Sequence, residues 1–196
     1  MSFDAWRHRL RARLLARLRR HDAAVAAYRD ALQAAPEDAQ THAGLGYLLA
    51  GRQRYAEAEP HLRRAAQLSP QRAELWFNLG YALERLGRRR EAIAAFAEAV
   101  RLRPSLDRAW YGQGLAHAAL GEHDAAASCF EQATRLQPMN GHAWYALGMA
   151  WHHGCTPERV REAVERLAHF DPHMARRLIL DAGRSDLAHL VAHLER

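Results

Sequence analysis

The sequence predicts an all-α fold: an α-solenoid of about five helix-turn-helix repeats, closed by a C-terminal capping helical segment. Three observations lead there. Five prolines, Pro36, Pro70, Pro104, Pro138 and Pro172, stand 34 residues apart, and a period in the thirties marks arrays whose units cannot bury an apolar face alone. Between the prolines, apolar residues return every three or four positions, the spacing that lines one side of a helix. Apolar residues make up 49% of the chain, and alanine, which favours helix and lets neighbouring helices approach closely, supplies much of that share.

Placing each proline at position 32 of a 34-residue unit starts units at 5, 39, 73, 107 and 141, which divides the chain into 1–38, 39–72, 73–106, 107–140 and 141–174, with 175–196 as the cap. Position 4 then reads His8, His42, Trp76, Trp110, Trp144, and position 8 reads Ala12, Gly46, Gly80, Gly114, Gly148. Position 20 reads Ala24, Ala58, Ala92, Ala126, Val160; position 24 reads Tyr28, Leu62, Phe96, Phe130, Val164. Alanine fills position 27 in four units and Leu167 in the fifth.

This pattern of Trp, Leu-Gly, Ala, aromatic, Ala and Pro resembles the tetratricopeptide repeat, and the third unit matches it almost fully. The first and fifth units depart most, with Arg11 where Leu is usual and Val160 where a small residue is usual. Departures at the ends suit units with a neighbour on one side only.

Each element has its own local reason. In the first helix of the first unit, Trp6, Leu10, Leu14, Leu15 and Leu18 form an apolar stripe ringed by Arg9, Arg13, Arg17 and Arg20. The expectation is that the stripe packs on the second helix, 22–35, and leaves the arginines in water. In the third unit Leu75, Leu79, Leu83 and Leu86 share one side, and Gly87 permits the turn. Ile93, Phe96 and Val100 give the matching stripe, Gly80 and Ala92 are small where the helices should cross, and Pro104 ends the unit. Thr156-Pro157-Glu158 reads as a helix start with a hydroxyl cap. After Pro172, residues 173–182 should form a short helix ended by Gly183. Ser185 should cap a last helix with Leu187, Leu190, Val191 and Leu194 inward, and Asp186, His189, His193 and Glu195 outward.

Charge is local. Residues 1–20 hold seven arginines against Asp4, a balance of +6 that equals the whole chain's +6, so 21–196 is neutral. All 28 basic residues are arginine. No apolar run approaches the roughly 20 residues that span a bilayer, and residues 1–20 lack the apolar core of a secretory signal. With Cys129 and Cys155 reading as reduced thiols, the expected location is cytoplasmic.

No catalytic motif is present: there is no GxSxG, P-loop or dinucleotide fingerprint. No cofactor is expected. His152-His153 with Cys155, and His189 with His193, have ligand spacing but lack the third and fourth ligands a metal needs. The chain therefore reads as no enzyme, taking no small-molecule substrate and binding another protein. The resemblance implies that first helices line an inner groove, where positions 2, 5, 9 and 12 share one stripe. Position 9 is usually polar in that family; here Tyr47, Tyr81, Leu115 and Met149 make it apolar. With Phe77, Tyr111 and Tyr145 at position 5, these side chains are the expected floor for a partner peptide or helix. Asn78, Arg85 and Arg108 would fix its register. The family's carboxylate clamp needs lysine, which the chain lacks. Two alternatives are a tether, with residues 1–20 on nucleic acid or an anionic membrane, and a non-catalytic subunit of an enzyme assembly.

Overall fold

The computed structural model describes residues 3–192, all of its regular structure helical. The fold is an all-α solenoid of stacked helical hairpins. The chain divides after Arg103 into two compact units.

The first unit contains α1 (Phe3–Arg17), α2 (His21–Ala34), α3 (Ala39–Gly51), α4 (Tyr55–Leu68), α5 (Ala73–Arg85) and α6 (Arg89–Leu102). Each helix packs on the next. Within a hairpin, a glycine of the first helix receives a bulky side chain from the second. A Cβ on Gly46 would lie 2.7 Å from Leu62 Cγ, and one on Gly80 2.8 Å from the Phe96 ring. The ring thus fills the crossing at Gly80, and Ala92, the other small residue expected there, is fully buried. Gly87 makes the turn between α5 and α6 with φ +74°, a left-handed backbone state that glycine adopts without steric penalty.

Position 4 has a further task that composition alone does not reveal. The Trp76 indole N–H donates to the carbonyl of Pro70, six residues earlier, at 2.9 Å. His42 does the same with Nε2 to Pro36 at 2.8 Å. Since a carbonyl only accepts, His42 carries a proton on Nε2, and its Nδ1 shares a hydrogen bond with His61 Nδ1 at 3.1 Å. Burial, then the neighbouring His42, holds His61 below the ordinary 6.5. A histidine whose folded pKa is depressed contributes stability that is present above 6.5 and is lost as pH falls through the folded value. The first unit should therefore melt at lower temperature as pH drops from neutral to about 5, and His61→Gln should flatten that slope in a thermal scan followed by circular dichroism.

At the start of the unit the structure corrects the expected packing of α1. Ala5 and Ala12, seven apart and so on one side, are the buried residues and face α2. Phe3 (71%), Trp6 (43%), Leu10 (42%), Leu14 (53%) and Leu18 (70%) are exposed, and Leu15 alone of the expected stripe is half-buried. The reason is steric: α2 meets α1 through alanines, and only small residues allow that approach. Arg9 fastens α1 to Asp38 at the start of α3. Burial alone would raise the Asp38 pKa; the Thr41 hydroxyl, 2.5 Å away, and Arg9 outweigh it and hold the carboxyl below its usual range.

The second unit contains α7 (Asp107–Ala118), α8 (His123–Leu136), α9 (Gly141–His153), α10 (Val160–Phe170) and α11 (Pro172–Asp181), with 3-10 turns at Pro157–Arg159 and Ser185–Leu190. Gly114 receives Phe130, 2.6 Å from where its Cβ would stand. Trp110 and Trp144 repeat the boundary bond, to Pro104 and Pro138, each at 2.9 Å. The fifth hairpin differs. Gly148 is met by Leu178 of α11, at 2.5 Å, rather than by Val164, which is buried elsewhere in the same core. Pro172 opens α11 directly, and the Asp171 carboxylate caps it by accepting from the Met174 amide at 3.1 Å.

Two expected caps are corrected. The Thr156 hydroxyl makes no capping bond, and Val160 starts α10 only after a 3-10 turn. Ser185 lies inside the last 3-10 turn, whose cap residue is Arg184. That turn still seals the unit, with Leu187 and Val191 buried in the core around Leu167 and Leu178. His193, Leu194 and Glu195 lie outside the described residues.

Candidate functional site

In the first unit, α3 and α5 each contribute a tyrosine from position 9. Tyr47 is 70% exposed and Tyr81 43%. They line a cavity of about 280 Å³ together with Ala50, Gly51, Gln53, Tyr55 and Asn78. The tyrosines stay in water because positions 7 and 11 of the same helices, Leu45 with Leu49 and Leu79 with Leu83, take the buried side. Gln53, at φ +60°, turns the chain so that α4 begins with Tyr55 beside Tyr81. The Tyr55 and Tyr81 rings meet edge to face, 6.0 Å between centroids and 75° between planes. The Arg85 guanidinium lies 5.4 Å from the Tyr55 ring centroid. A hydrogen bond to Tyr55 and then burial hold the Tyr81 phenol above its usual value. The Asn78 amide makes no hydrogen bond among the described residues, so both its donor and its acceptor remain open to a ligand.

Phe77 sits differently. It is half-buried, with its ring 6.0 Å from Phe96, and supports the wall rather than the floor.

In the second unit, Leu115 is 38% exposed on α7 and Arg108 is exposed on the same helix. Tyr111 is half-buried against Phe130 at 5.6 Å, and burial raises its phenol pKa. Tyr145 and Met149 are half-buried against the core. The Tyr145 hydroxyl donates to Asp181 at 2.5 Å, and the Arg177 guanidinium lies 5.0 Å from its ring centroid, both from α11. The first unit thus brings Tyr47, Asn78, Tyr81 and, through Tyr55, Arg85 together. In the second, α11 occupies the place beside Tyr145 where a partner was expected. Sequence reasoning missed Tyr55, Asp181 and Arg177; the first opens a second helix, and the others lie past the last repeat.

A larger cavity of about 690 Å³ lies between α8, α9 and α10, lined by residues including Trp144, Trp151, Arg159 and Phe170. It holds none of the expected floor residues. Arg159 covers the Trp151 ring at 3.9 Å and pairs with Glu131 at 2.7 Å, so its main polar group is already engaged.

Burial pushes the Cys129 thiol up to about 11, and a hydrogen bond to Asp124 raises Cys155, which leaves both poor thiolates at neutral pH. The His152 and His153 rings meet at 4.7 Å and His123 lies 5.2 Å from His153. No three His, Cys, Asp or Glu side chains converge as a metal site among the described residues. No helix among them is long and apolar enough to cross a membrane.

The tetratricopeptide repeat model matches residues 9–73, 52–107, 77–128 and 111–175. The chain belongs to the tetratricopeptide repeat family. Among solved tetratricopeptide structures, YrrB, described as having an unusual peptide-binding site, is 25% identical, with a TM-score of 0.82 over 92% of both chains. MamA is 23% identical with a TM-score of 0.80, over 95% of this chain and 98% of its own. PilF of Pseudomonas aeruginosa is 20% identical with a TM-score of 0.70, over 98% of this chain and 91% of its own. The last two likenesses show the fold alone. No curated protein matches by sequence.

Proposed function

We propose that this chain is a non-catalytic protein-interaction scaffold, a cytoplasmic adaptor that holds an extended or helical segment of a partner protein on its first-helix surface. The observation that carries the reading is the pair of exposed tyrosines, Tyr47 and Tyr81, flanking one cavity with an open amide at Asn78. Rigid aromatic rings supply contact area at low entropic cost, and the amide supplies direction to a peptide backbone. Each apolar side chain fully buried by the partner contributes roughly 1.5–3 kcal/mol before the cost of ordering the peptide. On the second unit, taken by itself, Leu115 and Arg108 are exposed on α7 and offer a smaller surface of the same kind; Met149 and Tyr145 join it only where α11 leaves them accessible. Phe77 and Tyr111 hold the shape through Phe96 and Phe130. The peptide-binding site of the structurally similar YrrB supports the class of ligand.

The test is a peptide selected from a random displayed library against the intact chain. Tyr81→Ala should weaken its binding tenfold or more with helicity unchanged by circular dichroism, and Tyr47→Ala should act in the same direction. Unchanged affinity in both would reject this surface. Tyr111→Ala is the wrong probe, since it also removes packing from Phe130.

A further inference from the structure

We infer that α1 is a membrane-surface helix, docking the first unit on an anionic lipid bilayer through the side opposite α2. The helix has two apolar sides. One, marked by Ala5 and Ala12, is consumed by α2. The other carries Phe3, Trp6, Leu10 and Leu14, continued by Leu18 in the turn just after the helix, all exposed, with the Phe3 and Trp6 rings stacked at 5.9 Å. An isolated exposed leucine needs no explanation, but four large apolar side chains on one helix side with a fifth just beyond its end do.

The occupant follows from charge and shape. The helix segment holds six arginine charges in excess within 20 residues, while the rest of the chain is neutral. Arg9 is bound to Asp38 and Arg7 lies 3.4 Å from Asp4; Arg11, Arg17, Arg19 and Arg20 have no acidic partner among the described residues. A second copy meeting this side would bring two like-charged helices together. Nucleic acid would press phosphates onto Trp6, Leu10 and Leu14. A partner helix seeks a groove, and this side is the crest of one helix, since its packed side faces the opposite way. A bilayer surface satisfies both chemistries: rings and leucines enter the acyl boundary, and arginines reach along their stems to lipid phosphates. The anchor to Asp38 fixes the helix, so little ordering cost remains at docking.

The experiment is co-sedimentation of the full chain with phosphatidylserine–phosphatidylcholine vesicles and with phosphatidylcholine vesicles alone, alongside duplex DNA and RNA. Binding to the anionic vesicles should exceed binding to neutral ones at least tenfold and fall steeply with salt. Leu10→Asp with Leu14→Asp should abolish it, and Arg11→Glu with Arg17→Glu should weaken it at least tenfold. Circular dichroism should be unchanged in both variants, because these side chains are exposed. Absent vesicle binding overturns the inference. So does binding that survives the Asp pair, because contact would then be purely electrostatic. A preference for DNA or RNA over vesicles overturns it too, as does a dimer in free solution that the Asp pair dissociates.

Discussion

Phe96→Ala is expected to lower the stability of the first unit by about 3–5 kcal/mol, the range for removing a buried aromatic ring from a core. Phe96 is 1% exposed and its ring rests on Gly80, which has no side chain to fill the space left behind. The facing Phe77 ring would lose its partner as well. Backbone cannot close the gap, because α5 and α6 are held apart by the other buried side chains along the same seam, Leu79, Leu83 and Ala99. Urea unfolding followed by circular dichroism gives the free energy, and Trp76 fluorescence reports locally. In an array, stability is roughly a sum over units and their seams, so α3 and α4 should retain more structure than α5 and α6. A loss below about 1 kcal/mol would contradict the packing described here, since it is the size expected of a surface change rather than a core cavity.

Leu178→Ala is expected to cost about 2–5 kcal/mol in the second unit. Leu178 is fully buried and fills the hollow over Gly148, the place held by Phe130 over Gly114 and by Phe96 over Gly80. Its removal leaves α11 attached through Ala175, Ile179 and the Asp171 cap. Hydrogen exchange should quicken across α11 first, and the Tyr145 hydroxyl should lose its hold on Asp181. Leu180→Ala is the control: on the same helix but 77% exposed, it should change stability by no more than about 0.5 kcal/mol. Equal effects from the two substitutions would mean that α11 does not dock as described. The Leu178 change also bears on binding, because freeing Tyr145 and Met149 enlarges the apolar surface open to a partner.

Much of this was legible before any coordinates. The proline period and the glycine at position 8 fix where hairpins cross, because close approach leaves few alternatives to Gly46, Gly80 and Gly114. The exposure of Tyr47, Tyr81 and Leu115 followed from their register relative to the buried leucines. Other features were hidden for definite reasons. On α1, bulky side chains and arginines suggest one buried stripe, yet two alanines decide the packing, and alanine carries little weight in an apolar pattern. Leu178 lies beyond the last repeat, so no period could assign it to Gly148. Tyr55 starts a second helix, and its ring reaches the site only because Gln53 adopts a left-handed turn. The direction of a side chain at a helix end is set by that turn rather than by spacing.

The ring donors at the hairpin boundaries carry a practical consequence. Trp76, Trp110 and Trp144 each place an indole N–H on a proline carbonyl at 2.9 Å, so each of these three junctions contains its own built-in optical reporter. Keeping one of these indoles while converting the other tryptophans to phenylalanine would let emission colour follow the wetting of a chosen seam. Heating such a set would map, junction by junction, the order in which the array comes apart.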